Sequence, residues 1–170
     1  MDFFDISKSR YSARQFLDKV VEEDKIYKIL ETVKYAPTAL NHQPYEVFVA
    51  KTKQGLDKIK KSLAPDYGQK LLFVICSKRD DSWHNRYSGQ ENILQDIGIL
   101  GATILYSAKN EGLESCYVCN FDPKILSEEL GLDENTVPEC LIFVGYVDNQ
   151  TVPSERHYIR REIKEFTKFF

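Results

Sequence analysis

The chain is poor in the residues that mark several common classes of protein. Its 170 residues include only four cysteines, Cys76, Cys116, Cys119 and Cys140. That density implies no disulfide framework, so free thiols in a cytoplasmic setting are the default expectation. His42, His84 and His157 are the only histidines and lie far apart; with the scattered cysteines they form no complete zinc-ligand pattern. Positive charge is not in excess: 23 Lys and Arg stand against 26 Asp and Glu, a net charge of −3. That argues against bulk electrostatic binding of nucleic acid, which needs a basic face, while leaving room for a small local cationic pocket. Long apolar runs are missing as well. Leu71 to Cys76 is too short to span a bilayer, and the stretch from Ile97 to Leu105 is broken by Gly98 and Gly101. The start, Met1-Asp2-Phe3-Phe4-Asp5, lacks the basic and then apolar regions of a secretory signal. The six prolines and eight glycines are dispersed, with no linker, repeat or low-complexity tract. One domain over residues 1–170 is expected.

What is present is a mixture of helical and strand patterns. From Glu22 to Ala36, Ile26, Ile29, Leu30 and Val33 form the stripe of an amphipathic helix, and Pro37 stops it. Tyr45 to Lys51 reads as a strand. Lys53 to Ser62 reads as a short helix with Leu56, Ile59 and Leu63 on one side. Leu71 to Cys76 has no polar alternation and predicts a strand buried on both faces. Ser88 to Glu91 fits a capping box opening a helix that carries Ile93, Leu94, Ile97, Ile99, Leu100, Ile104 and Leu105. Apolar residues nearly encircle that helix, so burial, partly at a subunit interface, is expected, with Gly112 at its end. Ser115 to Val118 is a short strand. Asp122-Pro123 caps a further helix that Gly131 stops, and Cys140 to Val147 is a third buried strand. The tail from Arg156, with Ile159, Ile163 and Phe166, reads as helical. Buried strands interleaved with helices predict a three-layer α/β or α+β domain.

Four segments carry candidate chemistry. In Ser9-Arg10-Tyr11-Ser12-Ala13-Arg14, two guanidiniums and hydroxyls at this spacing suit a phosphate; taken alone, a solvated basic turn is the simpler reading. In Ala36-Pro37-Thr38-Ala39-Leu40-Asn41-His42-Gln43-Pro44, Asn41 and Gln43 offer donors and acceptors for a heteroaromatic edge or a ribityl chain, and a polar connection is the alternative. The Cys116-x-x-Cys119 pair invites a zinc or dithiol reading. It lacks a second ligand pair, and the next helix start is signalled only at Asp122, so two small half-buried side chains at a strand end is the favoured reading. Arg156-His157-Tyr158-Ile159-Arg160-Arg161 could complete a phosphate site begun by Arg10, or be a solvated helix face. No Walker loop, Gly-x-Gly-x-x-Gly, nucleophile elbow or His-Glu-x-x-His is present. The single tryptophan, Trp83, sits in a polar loop where it serves either as a ligand platform or as packing.

Taken in order, these segments resemble the nitroreductase family of flavin mononucleotide (FMN) enzymes over nearly the whole chain. Arg10, Ser12 and Arg14 are similar to the family's N-terminal flavin motif. Ala36 to Pro44 matches its Ala-Pro-Ser-x-x-Asn-x-Gln-Pro loop, with Thr38 in place of Ser. Asp96-Ile97-Gly98 with Gly112-Leu113, then Phe121-Asp122 and Gly145-Tyr146, match later landmarks. Many relatives have Gly where this chain has Cys119 and Trp where it has Tyr117, and larger relatives carry a helical lid for which this chain has no room. The Trp83 loop is the best candidate cover.

The resemblance implies a three-layer α+β fold with a mostly antiparallel central sheet, dimeric, with two FMN sites at the interface. It implies that Arg10 and Ser12, with Tyr11 beside them, hold the phosphate together with Arg160, and that Arg14 lies near the N1/O2 edge. There a cation stabilises the charge that collects on reduced flavin. Pro37, Thr38 and Ala39 belong to the cofactor loop, with Asn41 and Gln43 reaching the flavin of the other subunit. Val118, Cys119 and Asn120 form the remaining edge, the amides of the last two facing N5 and O4. The implied activity passes hydride from NADH or NADPH through flavin N5 to an acceptor such as a nitroaromatic or quinone, in alternating half-reactions, with no catalytic side chain and no metal. The alternatives are a flavin-binding protein with little turnover and, less favoured, a Cys-x-x-Cys redox protein.

Overall fold

Segments rich in β-branched and aromatic residues pair into a single sheet: β1 (Tyr45–Ala50), β2 (Leu71–Lys78), β3 (Glu114–Val118) and β4 (Thr136–Gly145). Their spatial order is β1-β2-β4-β3, and every pairing is antiparallel. The computed structural model describes residues 2–63 and 66–170. The helices are α1 (Phe3–Ser9), α2 (Glu23–Val33), α3 (Lys53–Lys60), α4 (Ile93–Asn110), α5 (Pro123–Leu130) and α6 (Ile163–Phe166).

Strand alternation sorts the apolar side chains onto two faces. Phe73, Ile75, Cys140, Ile142 and Val144 pack with Ile26 and Ile29 of α2 and Ile97, Leu100 and Ile104 of α4. Leu72, Val74, Cys76, Leu141 and Phe143 pack with Leu56 and Ile59 of α3 and Leu126 of α5. The architecture is thus α+β in three layers. Both central strands are covered on both faces, which explains why β2 reads as an unbroken apolar run.

The central strand β4 begins four residues earlier than the sequence pattern suggests, because it contains Pro138. A proline cannot donate to a ladder and argues against a central strand, but Pro138 lies beyond the β3 ladder, where β4 pairs with β2 alone. A bulge absorbs it: the register shifts between Ile75 and Cys76, so that Ile75 faces Cys140 while Cys76 faces Pro138. The extra residue, Glu139, turns to the Arg79 guanidinium at 2.5 Å and accepts the Ser77 hydroxyl at 2.7 Å.

Two further expectations are corrected. Ser88 to Glu91 is not a capping box. The Ser88 hydroxyl accepts the Gln90 amide, Asn85 takes the Tyr87 and Ser88 amides, and the Glu91 carboxylate binds Arg79 at 2.7 Å. A charge-assisted bond to Arg79 outcompetes a neutral backbone amide, and α4 starts at Ile93 after Asn92. The tail is not one helix either. It forms a 3₁₀ turn at Glu155–Tyr158 and the single turn of α6. Ile159, Ile163 and Phe166 are exposed, so no burial offsets the cost of nucleating a longer helix. The end of α4 follows expectation: Gly112 adopts φ +75, and the Leu113 amide reaches back to the Ala108 carbonyl at 2.9 Å, a Schellman closure. This helix buries Ile93, Ile97, Leu100 and Ile104 but leaves Leu94 and Ile99 exposed. No helix of the described residues is long and apolar enough to cross a membrane.

Candidate functional site

The N-terminal segment leaves α1 at Arg10, whose amide closes the helix on the Ile6 carbonyl at 3.0 Å. It continues extended beside β3, where Ser12 bridges Ser115 in parallel and the Ala13 amide bonds the Ser115 carbonyl at 3.1 Å. Extended backbone alternates its side chains. Tyr11 and Ala13 are therefore buried, while Arg10, Ser12 and Arg14 share the other side.

The C-terminal segment crosses opposite. His157 packs edge-on against the Tyr11 ring, with centroids 6.2 Å apart. Between the two segments lies a cavity of about 610 Å³ lined by Arg10, Tyr11, Ser12, Arg14, Ser154, Arg156, His157 and Arg160. The fold thus brings together the first and fourth candidate segments, from opposite ends of the sequence. Arg156, His157 and Ser154 join the Arg10, Tyr11, Ser12, Arg14 and Arg160 set; the sequence signal for the first two was their place in the same basic run. None of the four guanidiniums forms an ion pair among the described residues, and no carboxylate lines the cavity. An uncompensated cluster of forked donors is a receptor for a dianion such as a phosphate monoester.

Beneath this strip, Glu114 on β3 pairs with Lys109 of α4. Burial raises the Glu114 carboxyl above its ordinary value near 4.5, against the opposing pull of Lys109 and Arg10. The folded state therefore holds this proton at pH values where the unfolded chain has lost it, so its contribution to stability falls as pH rises through that window. In Glu114→Gln the term is gone. Stability measured by denaturant titration should shift in favour of the variant, relative to wild type, from the ordinary glutamate range toward neutrality; parallel pH profiles would contradict this.

The 36–44 loop and the end of β3 do not line this cavity. Thr38, Ala39, Asn41 and Gln43 follow α2 and precede β1, with Ala39–Asn41 in a 3₁₀ turn. Leu40, Asn41 and Gln43 all have positive φ, at 50, 58 and 52. For side chains other than glycine such conformations cost roughly 1–3 kcal/mol each and persist only where surroundings enforce them, commonly at ligand sites. The Asp96 carboxylate accepts the Ala39 amide at 3.1 Å, the Thr38 hydroxyl accepts the Gln43 amide at 3.1 Å, and the His42 ring meets the Asp81 carbonyl at 3.2 Å. Pro37 precedes this network without entering it.

Val118 is buried at the end of β3, and Cys119 and Asn120 are exposed beyond it. Cys116 and Cys119 lie three residues apart, which on extended chain puts them on opposite faces. Cys116 is buried beneath Arg14 and Ser12, where burial raises its thiol pKa. Cys76 and Cys140 are pushed up to about 12 by burial. Such protonated thiols are poor nucleophiles and poor metal ligands. Tyr117 packs on the bare Cα of Gly101, where a Cβ would meet its ring at 2.3 Å, which explains one of the two glycines in α4. Trp83 is half-buried, its carbonyl accepting the Asn92 amide at 3.0 Å.

Comparison with known proteins bears on the fold and the family. A crystal structure of a nitroreductase family protein from Clostridium difficile 630 superposes with a TM-score of 0.91 at 30% identity, covering 99% of this chain and 98% of that one. An FMN-dependent nitroreductase from Clostridium difficile R20291 gives 0.78 at 23% identity, with 98% of both chains covered. An oxygen-insensitive NAD(P)H nitroreductase from Salmonella typhimurium is 32% identical over 103 residues, 54% of this chain and 48% of that protein. The family model described as "Nitroreductase family" matches residues 7–70 and 64–146, running from the guanidinium strip to the end of β4, and the chain belongs to the nitroreductase family.

Proposed function

We propose that the protein is an FMN-dependent oxidoreductase that takes reducing equivalents from NADH or NADPH and passes them to a small acceptor such as a nitroaromatic or quinone. The observation that carries this reading is the cavity in which Arg10, Ser12, Arg14 and Arg160 converge with no carboxylate among its lining residues. Its donor set fits the phosphate of FMN. Arg10 and Arg160 would grip the phosphate with Ser12 as a neutral donor, and Arg14 would supply positive charge toward the ring. Bound FMN supplies a two-electron carrier able to serve donor and acceptor in turn, in the alternating mode called ping-pong. The contribution of the chain is placement and electrostatics, with no side chain acting as nucleophile.

The second group of predicted residues, Asn41 and Gln43, stands apart from the cavity, which supports their serving the cofactor of a partner subunit. Homodimerisation is supported further by exposed apolar side chains that one copy leaves uncovered: Phe3, Phe4, Leu94 and Ile99, and along the tail Ile159, Ile163, Phe166, Phe169 and Phe170. A site shared between subunits would confine activity to the dimer.

The first experiment is the visible spectrum of purified protein, release of the chromophore by denaturation, and rapid mixing with NADH and with NADPH. Released FMN near one per subunit and bleaching of the flavin bands by either nucleotide are expected. Protein that binds FMN but is bleached by neither would be a cofactor-binding protein with little turnover. Protein that neither carries nor takes up FMN would overturn the proposal.

A further inference from the structure

The loop that carries Asn41 and Gln43 holds an unfavourable shape. Of its residues, Leu40, Asn41 and Gln43 have left-handed backbone, which leucine and glutamine rarely adopt. A free loop of this composition would relax. Within the loop, the Thr38 hydroxyl accepts the Gln43 amide, the Gln43 side chain donates to the Asn41 carbonyl, and the Asn41 and His42 amides close the 3₁₀ turn; outward, the His42 ring meets the Asp81 carbonyl and the Pro44 carbonyl accepts the Lys78 amide. One more comes from the core. Asp96, in the first turn of α4, is 4% exposed and is the one carboxylate hydrogen-bonded to the loop among the described residues, accepting the Ala39 amide at 3.1 Å.

Burying a carboxylate is costly unless it is compensated. Asp96 has no ion pair, and its Oδ2 is buried without a hydrogen-bond partner among the described residues. A side chain selected only for core stability would be apolar there, since a charge held by one neutral amide returns little against its desolvation. The start of the 18-residue α4 offsets part of that cost, because the positive end of the helix dipole favours an anion in the first turn.

From this geometry we infer that Asp96 is a positioning residue: it pins the Ala39 amide and thereby holds Leu40, Asn41 and Gln43 in the left-handed shape that presents the loop to the cofactor. The inference rests on the FMN reading for its purpose, though not for the tether. The tether joins the helix at the centre of the core to the loop, so the loop moves with the fold rather than independently of it.

The test uses the full chain and two variants, Asp96→Ala and Asp96→Asn, with two readouts. The first is hydrogen exchange of the Ala39 amide measured by NMR without FMN. The second is FMN affinity together with the visible circular dichroism of bound flavin, which reports the setting of the ring. In Asp96→Ala, Ala39 should lose its protection, FMN should bind roughly tenfold more weakly, the loss expected of one buried hydrogen bond, and the dichroism should change. Asp96→Asn keeps an acceptor for Ala39 and should retain most of both. An Asp96→Ala protein that unfolds more readily but keeps Ala39 protection and the wild-type dichroism would show a merely structural role and overturn the inference. If Asp96→Ala does not fold, the near-isosteric Asp96→Leu, which fills the site without an acceptor, decides: the inference stands if Ala39 protection and FMN affinity are both lost, and falls if either is kept. Wild type that binds no FMN would sink the functional proposal, while the exchange measurement would still show whether Asp96 holds the loop.

Discussion

Arg10→Ala should weaken FMN binding by about 1.5–3 kcal/mol, the range for a lost hydrogen bond to a charged group, or roughly 10- to 150-fold in dissociation constant. Arg10 is fixed by the closing turn of α1 and shares the exposed side of an extended segment with Ser12 and Arg14. It forms no ion pair among the described residues, and the buried Glu114 that it faces keeps its pairing with Lys109, so thermal stability without FMN should change little. That separates a binding defect from a folding defect. Arg10→Lys should recover only part of the loss, since an ammonium cannot reproduce the two-pronged geometry of a guanidinium on a phosphate. The wild-type affinity should also fall with added salt more steeply than that of Arg10→Ala, because one fewer cation is screened. Isothermal titration of the FMN-free proteins with FMN at several salt concentrations measures the affinities, and thermal melts without FMN measure the stability. Unchanged affinity in Arg10→Ala would remove Arg10 from the site.

Much of this arrangement is legible in the sequence because its determinants are local. The alternation that buries Tyr11 and Ala13 and presents Arg10, Ser12 and Arg14 needs only extended backbone. The stripe of α2, the Asp122-Pro123 start of α5 and the buried runs of β2 and β4 are equally local. What is not legible is set by tertiary partners. Pro138 lies in β4 because the bulge at its neighbour Glu139 accommodates it beyond the reach of β3, and the bulge exists in the pairing with β2. Glu91 looks like a helix cap until Arg79, remote along the fold, takes its carboxylate. The left-handed backbone of Leu40 and Gln43 has no signal in residue type, since neither is a residue that favours it. Asp96 shows the same limit. Its place in a family landmark was visible, but its bond to Ala39 becomes apparent only when α4 is packed beneath the loop. The basic run from Arg156 to Arg161 offers either a completion of the Arg10 site or a solvated face, and it is the packing of His157 on Tyr11 that decides between them.

Phe143→Ala should lower the unfolding free energy by about 3–5 kcal/mol, the usual cost of truncating a large buried aromatic. Phe143 is fully buried in β4 and faces Cys116 across the β3–β4 ladder. It packs edge-on against Tyr67 at 5.7 Å and shares its cluster with Tyr11, Ala13 and Phe16. Those residues are the buried side of the segment whose exposed side carries Arg10, Ser12 and Arg14. The void would open beneath the floor of the cationic cavity, and stability and binding become coupled. If the floor relaxes in the free protein but can be rebuilt by ligand, FMN at about 100 times its dissociation constant should return about 2.7 kcal/mol to the variant. The same excess returns the same amount to wild type, so the informative quantity is the dissociation constant itself. A weaker constant in Phe143→Ala with the four guanidiniums intact would show that packing beneath Tyr11 holds the strip in its binding shape. An equal constant would show that pairing with β3 alone, through Ser12 and Ala13, suffices to align it. Denaturant melts at several FMN concentrations separate the two outcomes, and a loss of stability below about 1 kcal/mol would contradict the placement of Phe143 in the core.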